Sequence, residues 1–159
     1  MQYQEDFIVG LLKRLKLFSD LDSSALLKLS SIFNEKVFKE GDIIFTEDSI
    51  GNSMMIITSG EVRVSQKSDP DNEEALIVLK KGDLFGEMGL LEDLPRSATV
   101  IAHSNVVMLE IKREDFLEFL KKDSDSGVKI LIKLSKILSS RLRETDTKLK
   151  TFISLTKWF

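Results

Sequence analysis

One short stretch, GDLFGEMGLLEDLPRSATV at residues 82–100, contains the residue types best suited to chemistry. It sets a carboxylate at Glu87 and a guanidinium at Arg96 among glycines, small residues and one of the chain's two prolines. Glycine allows turns and close backbone approach that other residues block. A short helix beginning after Glu87 would direct free backbone N–H groups at an anion, most often a phosphate.

The side chains of this stretch indicate what the anion belongs to. The planar fork of Arg96 matches the oxygens of a phosphate, and Ser97 and Ala98 are small enough for a ligand to approach their amides. A carboxylate repels phosphate, so Glu87 fits the same ligand only if it accepts a hydrogen bond from a sugar hydroxyl, as acidic residues do in dinucleotide sites. The pattern predicts a nucleotide. The alternatives are two ordinary surface residues, or an ion pair between Glu87 and Arg96.

The hydrophobic pattern around this stretch changes twice along the chain. Apolar residues at helical spacing predict one helix over Glu5–Phe18 and a second over Ser23–Phe33, with Asp22 as its cap. Short apolar or alternating runs separated by glycines then predict about eight strands, with an exposed loop at the sequence DPDN. Helical spacing returns in REDFLEFLKK and in one long helix from about Gly127 to Trp158.

This order of elements defines a fold class. Strands bracketed by helices indicate an α+β protein without alternating βαβ units, and many short antiparallel strands with glycine turns indicate a small barrel or jelly roll. The 159 residues, 42% of them hydrophobic and 31% charged, are typical of one globular domain. The chain has no cysteine, no signal peptide and no membrane-spanning apolar run, so we expect a cytoplasmic protein without a membrane partner.

The formal charge is divided unequally between the two ends of the chain. Residues 127–159 carry eight basic and two acidic residues, a net charge of +6. Residues 1–126 carry 15 basic and 24 acidic residues, a net charge of -9. An acidic body with a basic tail predicts either an anionic partner or a solvated helix face.

The segment FGEMGLLEDLPRSATV resembles the phosphate-binding cassette of the cyclic nucleotide-binding domain family, F-G-E-x-[AG]-L-L-x-x-x-P-R-x-A-T-V. Upstream, FKEGDIIFTEDSIGNSMMIITSGEVRV has the family's glycine spacing at Gly41, Gly51 and Gly60. The resemblance covers about Phe18–Leu149. It implies an eight-stranded antiparallel β-roll, a form of jelly roll, flanked by helices and binding cAMP or cGMP as ligand with no other cofactor.

The resemblance also assigns roles by position. Glu87 takes the ribose 2′-hydroxyl and Arg96 takes the cyclic phosphate. The other residues that line this pocket are Gly86, Met88, Ser97 and Ala98. Residues 1–126 are then the nucleotide-binding β-roll with its flanking helices, and residues 127–159 are a long C-terminal helix that dimerises and acts as a lid.

The long helix has a heptad seam. Its members are Leu131, Ser135, Leu138, Leu142, Thr145, Leu149, Phe152 and Thr156. The segment LSKILSSRLRETDTKL is similar to the dimerising helix of the catabolite activator branch of the family, which implies a homodimer. By that match Thr145 and Asp146 contact the purine, one from each subunit, with Arg141 one turn earlier on the same face. The alternative is that the polar seam residues only set the register of a coiled coil.

Two further functions are not expected. The catabolite activator branch continues into a helix-turn-helix domain, but this sequence stops at SLTKWF, so we expect no direct DNA binding. Metal enzymes built on jelly rolls need clustered histidines, whereas the single histidine, His103, falls at a predicted turn. We therefore predict a cyclic nucleotide sensor that is not an enzyme. The alternatives are an interaction module that keeps the fold without binding ligand, and a regulatory fragment of a larger receptor. The choice between cAMP and cGMP and the downstream protein partner stay open.

Overall fold

A computed structural model of the protein describes residues 2–69, 72–92 and 94–156. The helices are α1 (Gln2–Arg14), α2 (Ser23–Ser30), α3 (Met88–Leu91), α4 (Arg113–Lys122) and α5 (Ser124–Thr156). The strands are β1 (Asn34–Phe38), β2 (Ile43–Phe45), β3 (Ser53–Ser59), β4 (Glu61–Asp69), β5 (Asn72–Lys80), β6 (Leu84–Phe85), β7 (Thr99–Ala102) and β8 (Val106–Lys112). The predicted α+β class is confirmed.

The strands form two antiparallel sheets of four strands each, in the orders β1-β8-β3-β6 and β2-β7-β4-β5. Inward-facing residues of both sheets make one apolar core, because side chains alternate between the faces of a strand. The buried members of this core are Met55, Ile57, Val62, Phe85, Val100, Ala102, Val106 and Met108. The arrangement confirms the predicted eight-stranded β-roll.

The chain divides into two compact units. One consists of residues 28–122 and contains the β-roll with α3 and α4. The other combines residues 1–27 with residues 123–159, and therefore contains α1 and α5. In this second unit the last buried residue of α5 is Leu134, and every described residue from Ser139 onward is exposed.

The helix boundaries differ in detail from those the spacing predicts. The first helix ends at Arg14 and gives way to turns. Leu17 and Phe18 are both buried, and successive side chains of an α-helix point about 100° apart, so a turn buries this adjacent pair more readily than a continued helix does. Asp22 caps α2 as predicted, because its Oδ1 accepts a hydrogen bond of 2.8 Å from the Ala25 N–H.

Three other boundaries complete the comparison with the sequence. The second helix ends at Ser30, short of Phe33, and the long helix begins three residues earlier than predicted, at Ser124. Trp158 and the centre of the DPDN loop, Pro70 and Asp71, lie outside the described residues. Among the helices in the described part of the chain, none is long and apolar enough to cross a bilayer.

Candidate phosphate and ribose site

The loop between β2 and β3 fixes the backbone of Arg96. Arg96 donates its N–H to the carbonyl of Ser49 at 2.8 Å, and its own carbonyl accepts from the Asp48 N–H at 2.9 Å. One residue earlier, Pro95 forms an isolated antiparallel bridge with Ile50. Asp48 has a φ of 64°, a left-handed conformation that aspartate tolerates better than most residues. The position of Arg96 is therefore set by a segment more than forty residues away in sequence.

The Arg96 side chain is buried, with 8% of its surface exposed. Its Nη1 donates to the carbonyl of Ser53 at 2.9 Å and more weakly to that of Gly86 at 3.4 Å, and its Nη2 donates to Ser53 Oγ at 3.2 Å. The guanidinium carbon lies 4.1 Å from the ring centroid of Phe45, a cation–π contact. Two carbonyls, one hydroxyl and one aromatic ring thus hold the charged guanidinium of Arg96 inside the protein.

One donor of this guanidinium has no acceptor. Arg96 Nε is buried and makes no hydrogen bond to any described residue. Burial lowers the pKa of Arg96, while the carboxylates of Glu110 and Glu87 act in the opposite direction. Arginine nevertheless stays charged, because a guanidinium is not deprotonated in proteins. A buried, charged donor without a partner is costly, so the site suits an anionic acceptor.

Glycines give the guanidinium its space. A Cβ on Gly51 would lie 1.8 Å from Arg96 Nε, and a Cβ on Gly86 would lie 2.7 Å from its Nη1. Gly86 also has a φ of +76°, which L side chains rarely adopt. A Cβ on Gly89 would lie 2.8 Å from the carbonyl oxygen of Gly51. Any side chain at these three positions would therefore displace Arg96 or the backbone around it.

Glu87 is the second buried charged residue of the site, with 4% of its surface exposed. It directly precedes the single-turn helix α3, and its backbone is already helical at φ -60° and ψ -28°. Its carboxylate makes no capping hydrogen bond to that helix. Glu87 and Arg96 are therefore both buried in the unit of residues 28–122, and not on its surface.

The remaining cassette residues differ in exposure. Ala98 is buried, whereas Met88 is half exposed and Ser97 is exposed. The Ser97 carbonyl accepts a hydrogen bond of 2.6 Å from Gln66 Nε2, which ties the cassette to β4. All the predicted cassette residues belong to the unit of residues 28–122.

The predicted base contacts lie in the other unit, on α5. Arg141, Thr145 and Asp146 are exposed, and Thr145 Oγ1 donates to the Arg141 carbonyl at 3.0 Å. Their role at a purine stays a prediction. His103 is exposed between β7 and β8, and the described residues contain no metal-binding group of three or more His, Cys, Asp or Glu.

Sequence reasoning missed two residues that position Arg96. Ser53 supplies two of its acceptors, and Phe45 supplies the aromatic face. Ser53 had a weak signal, since it is a polar residue at the start of the apolar run SMMIITS. Phe45 had none, because an aromatic residue in a strand is ordinarily part of a core.

A β-roll with a buried glutamate before one helical turn and a buried arginine after it defines a class of protein, and comparison with known proteins identifies that class. Residues 35–123 match the sequence family of the cyclic nucleotide-binding domain, which is more than half of the chain. The chain therefore belongs to the cyclic nucleotide-binding domain family.

Individual relatives agree with this family. The chain is 34% identical over 111 residues to a cAMP-dependent protein kinase regulatory subunit of Yarrowia lipolytica, covering 70% of this chain and 29% of that protein. It is 32% identical over 119 residues to the cyclic AMP receptor protein of Thermus thermophilus, covering 75% of this chain and 53% of that protein. The chain thus spans about half, or less, of the length of these relatives.

A solved structure supports the same relationship. The crystal structure of the Thermus thermophilus catabolite activator protein has a TM-score of 0.77 to this chain at 31% sequence identity. The match covers 86% of this chain and 62% of that one. The similarity therefore extends over most of the chain and beyond the cassette.

Proposed function

We propose that this chain is a regulatory module that binds cAMP or cGMP in the β-roll and transmits its presence through the C-terminal helix. The observation that carries the proposal is the buried guanidinium of Arg96 with an unpaired Nε, in the same unit as the buried carboxylate of Glu87. The family and the relatives named above support a regulatory role and not a catalytic one. We expect the module to act in the cytoplasm.

The phosphate is the proposed partner of Arg96. A cyclic phosphate carries one negative charge and two exocyclic oxygens, so one oxygen can accept from Nε while the positive charge is neutralised. Charge-assisted hydrogen bonds of this kind contribute about 1.5–3 kcal/mol each. Ser53 and Gly86 hold the other end of the fork, so the arginine loses little conformational freedom when the ligand arrives. Small residues next to it, Ser97 and Ala98, leave room for the phosphate.

The ribose is the proposed partner of Glu87. A carboxylate beside a phosphate site repels the phosphate, but it accepts strongly from a sugar hydroxyl. Gly86 and Met88 flank Glu87 and complete this side of the proposed pocket. The pair of opposite charges therefore selects a ligand that is anionic at one end and a hydrogen-bond donor at the other, which describes a nucleotide.

The C-terminal helix is the proposed output. By its similarity to the catabolite activator branch, we propose that two chains pair through α5 and that Thr145 and Asp146 contact the purine, with Arg141 beside them. A ligand changes the helix arrangement only if it binds two arrangements with different affinity. The exposed apolar residues Leu142, Leu149 and Phe152 support a pairing surface, because each favours burial.

Calorimetric titration tests the proposal. The protein is titrated with cAMP, cGMP and adenosine, and the small molecules that co-purify with it are identified by mass spectrometry. We expect binding of at least one cyclic nucleotide and much weaker binding of adenosine, which has the base and the ribose but no phosphate. Failure of both cyclic nucleotides to bind ligand-free protein would favour an interaction module that retains the fold without a ligand.

A further inference from the structure

Glu110 of strand β8 is a charged residue that lies inside the β-roll and outside the cassette. It is directly opposite Met55 of β3, and Met55 belongs to the apolar core between the two sheets. Residues directly opposite each other in a sheet project from the same face, so Glu110 points towards the interior. Its side chain is only 14% exposed. Acidic side chains are seldom placed so far inside a protein unless they are paired with a charge.

Two cations lie on the same side of the sheet as this carboxylate. Lys36 Nζ of β1 is 3.6 Å from Glu110 Oε2, and the Lys36 side chain is about half exposed. The second cation is Arg96, whose fork donates to the carbonyl and the hydroxyl of Ser53. Ser53 is opposite Lys112, so Glu110 is its diagonal neighbour across β3 and β8. Diagonal neighbours lie about 7–8 Å apart, within reach of long side chains.

The electrostatics of Arg96 agree with this placement. Burial lowers the pKa of Arg96, and two carboxylates act against burial, Glu110 first and Glu87 second. Only Glu87 belongs to the cassette. A phosphate that binds beside Arg96 is therefore attracted by one guanidinium and repelled by two carboxylates. Lys36 offsets this repulsion only in part, because water and salt screen an exposed charge.

The second carboxylate makes the site sensitive to the charge of its ligand. A cyclic phosphate diester carries one negative charge, whereas an open monoester carries nearly two at neutral pH, because its second pKa is about 6. Both attraction and repulsion scale with the charge of the ligand. Arg96 alone would therefore favour the more highly charged open monoester. Glu110 acts against that preference.

We propose that Glu110 is a specificity residue that disfavours doubly charged open nucleotides at Arg96 relative to singly charged cyclic ones. Lys36 holds the carboxylate from the neighbouring strand β1. The proposal rests on the proposed function, because it requires that Arg96 bind the phosphate. It adds the class of ligand that the site rejects, the nucleoside monophosphates that hydrolysis of the cyclic ring produces.

Removing only the charge of Glu110 tests this role. Glu110→Gln keeps the shape of the side chain. Wild type and variant are titrated at about pH 8 with adenosine, cAMP and adenosine 5′-monophosphate, or with the guanine series where cGMP binds, and weak ligands are measured by displacement of the cyclic one. These ligands carry charges of about 0, -1 and -2. We expect unchanged affinity for the nucleoside, a gain of about threefold for the cyclic ligand and a gain of about tenfold for the monophosphate.

Glu61→Gln is the control, because it removes the same charge at the other end of β3. Glu61 begins β4 just after β3 ends at Ser59, which is six residues from Ser53. Six strand residues span about 20 Å, well beyond the screening length of about 8 Å at physiological salt. We expect Glu61→Gln to change no affinity. In Glu110→Gln, a loss of cyclic nucleotide affinity, or an equal change for all three ligands, would overturn the proposal, because a packing change does not scale with ligand charge.

The ligand-free protein separates this proposal from the proposed function. The Arg96 Nε–H resonance, assigned by its loss in Arg96→Lys, should shift in Glu110→Gln and stay in place in Glu61→Gln. An unchanged resonance in Glu110→Gln would overturn the role of Glu110 even in a protein that binds cyclic nucleotides. A shifted resonance in a protein that binds no cyclic nucleotide would confirm the placement of Glu110 beside Arg96 and overturn the proposed function, and with it the specificity role.

Discussion

Arg96 and Arg141 are both predicted to bind the same ligand, but they differ in burial and in the contacts that hold their side chains. Arg96 is buried, and backbone acceptors and an aromatic ring hold its fork. Arg141 is exposed on a helix whose residues from Ser139 onward all face solvent. Folding of one chain therefore builds the phosphate side of the proposed site in advance. We propose that the base contacts on α5 are made with the ligand and a second chain, so that ligand binding and helix pairing are linked.

The largest expected effect comes from removing the guanidinium fork. Arg96→Ala should weaken cyclic nucleotide binding at least about tenfold, because a charge-assisted hydrogen bond is lost. Arg96 is more deeply buried than a pocket-lining residue would need to be, and its loss leaves the Ser53 carbonyl without this donor. Circular dichroism and thermal melting must therefore accompany the titration.

Arg96→Lys is the matched variant for this prediction, since it keeps the positive charge and removes the fork. It should stay folded and still bind cyclic nucleotide more weakly than the wild type. Wild-type affinity in Arg96→Lys would show that charge alone suffices and that the fork has no special role.

A similar loss should follow from filling the space beside the arginine. In Gly51→Ala the new Cβ would lie 1.8 Å from Arg96 Nε, so the guanidinium must move away from its acceptors. We expect about a tenfold loss of affinity, measured by calorimetry. Gly10→Ala is the control, because beyond its chain neighbours and the adjacent backbone of α1 no described atom lies within 4 Å of its Cβ position. Equal affinities for the two variants would contradict the role of Gly51.

A smaller effect is expected at the ribose. Glu87→Gln should weaken cAMP binding by less than Arg96→Ala does, since a neutral acceptor remains in place of the charged one. The loss should disappear with 2′-deoxy-cAMP, which lacks the hydroxyl. If the wild-type protein binds 2′-deoxy-cAMP as tightly as cAMP, Glu87 does not hold the ribose.

The exposed C-terminal half of α5 leads to a prediction about the oligomeric state. Leu142→Lys places a charge on the proposed seam and should shift the protein towards monomer, measured by sedimentation at tens of micromolar. Nucleotide affinity should fall together with dimer affinity. Thr147→Lys is the control, because it adds the same charge to an exposed position off the seam. A wild-type protein that binds ligand as a monomer would refute pairing through α5 and leave Arg96 and Glu87 unaffected.

The smallest expected effect is on stability, from the ion pair between Lys133 in the N-terminal half of α5 and Asp20. Lys133 Nζ lies 3.1 Å from Asp20 Oδ2, and this contact lowers the pKa of Asp20. A carboxylate with a depressed folded-state pKa adds stability above its unfolded pKa and loses that stability as pH falls through the folded value. Lys133→Met should therefore cost a little stability at neutral pH and none in strong acid. A difference that persists in acid would point to packing instead.

Features that depend on one short stretch of sequence could be predicted, whereas features that depend on contacts between distant segments could not. The cassette is one contiguous stretch, so its resemblance to the family's cassette could single out Glu87, Arg96 and Gly86. Ser53 and Phe45 contact Arg96 only because segments distant in sequence pack together in the fold. A local sequence pattern does not predict such contacts. The end of α1 was missed for a similar reason, since the burial of Leu17 and Phe18 is a tertiary property that overrides helical spacing.

The most direct test of the proposed site observes Arg96 Nε itself. Its N–H resonance is assigned in a nitrogen–hydrogen correlation spectrum by its loss in Arg96→Lys, and the protein is then titrated with cAMP, cGMP and adenosine. We predict that a cyclic nucleotide moves this resonance as the unpaired donor gains a phosphate acceptor, and that adenosine does not. A resonance that stays in place while a cyclic nucleotide binds would contradict the assignment of Arg96 to the phosphate.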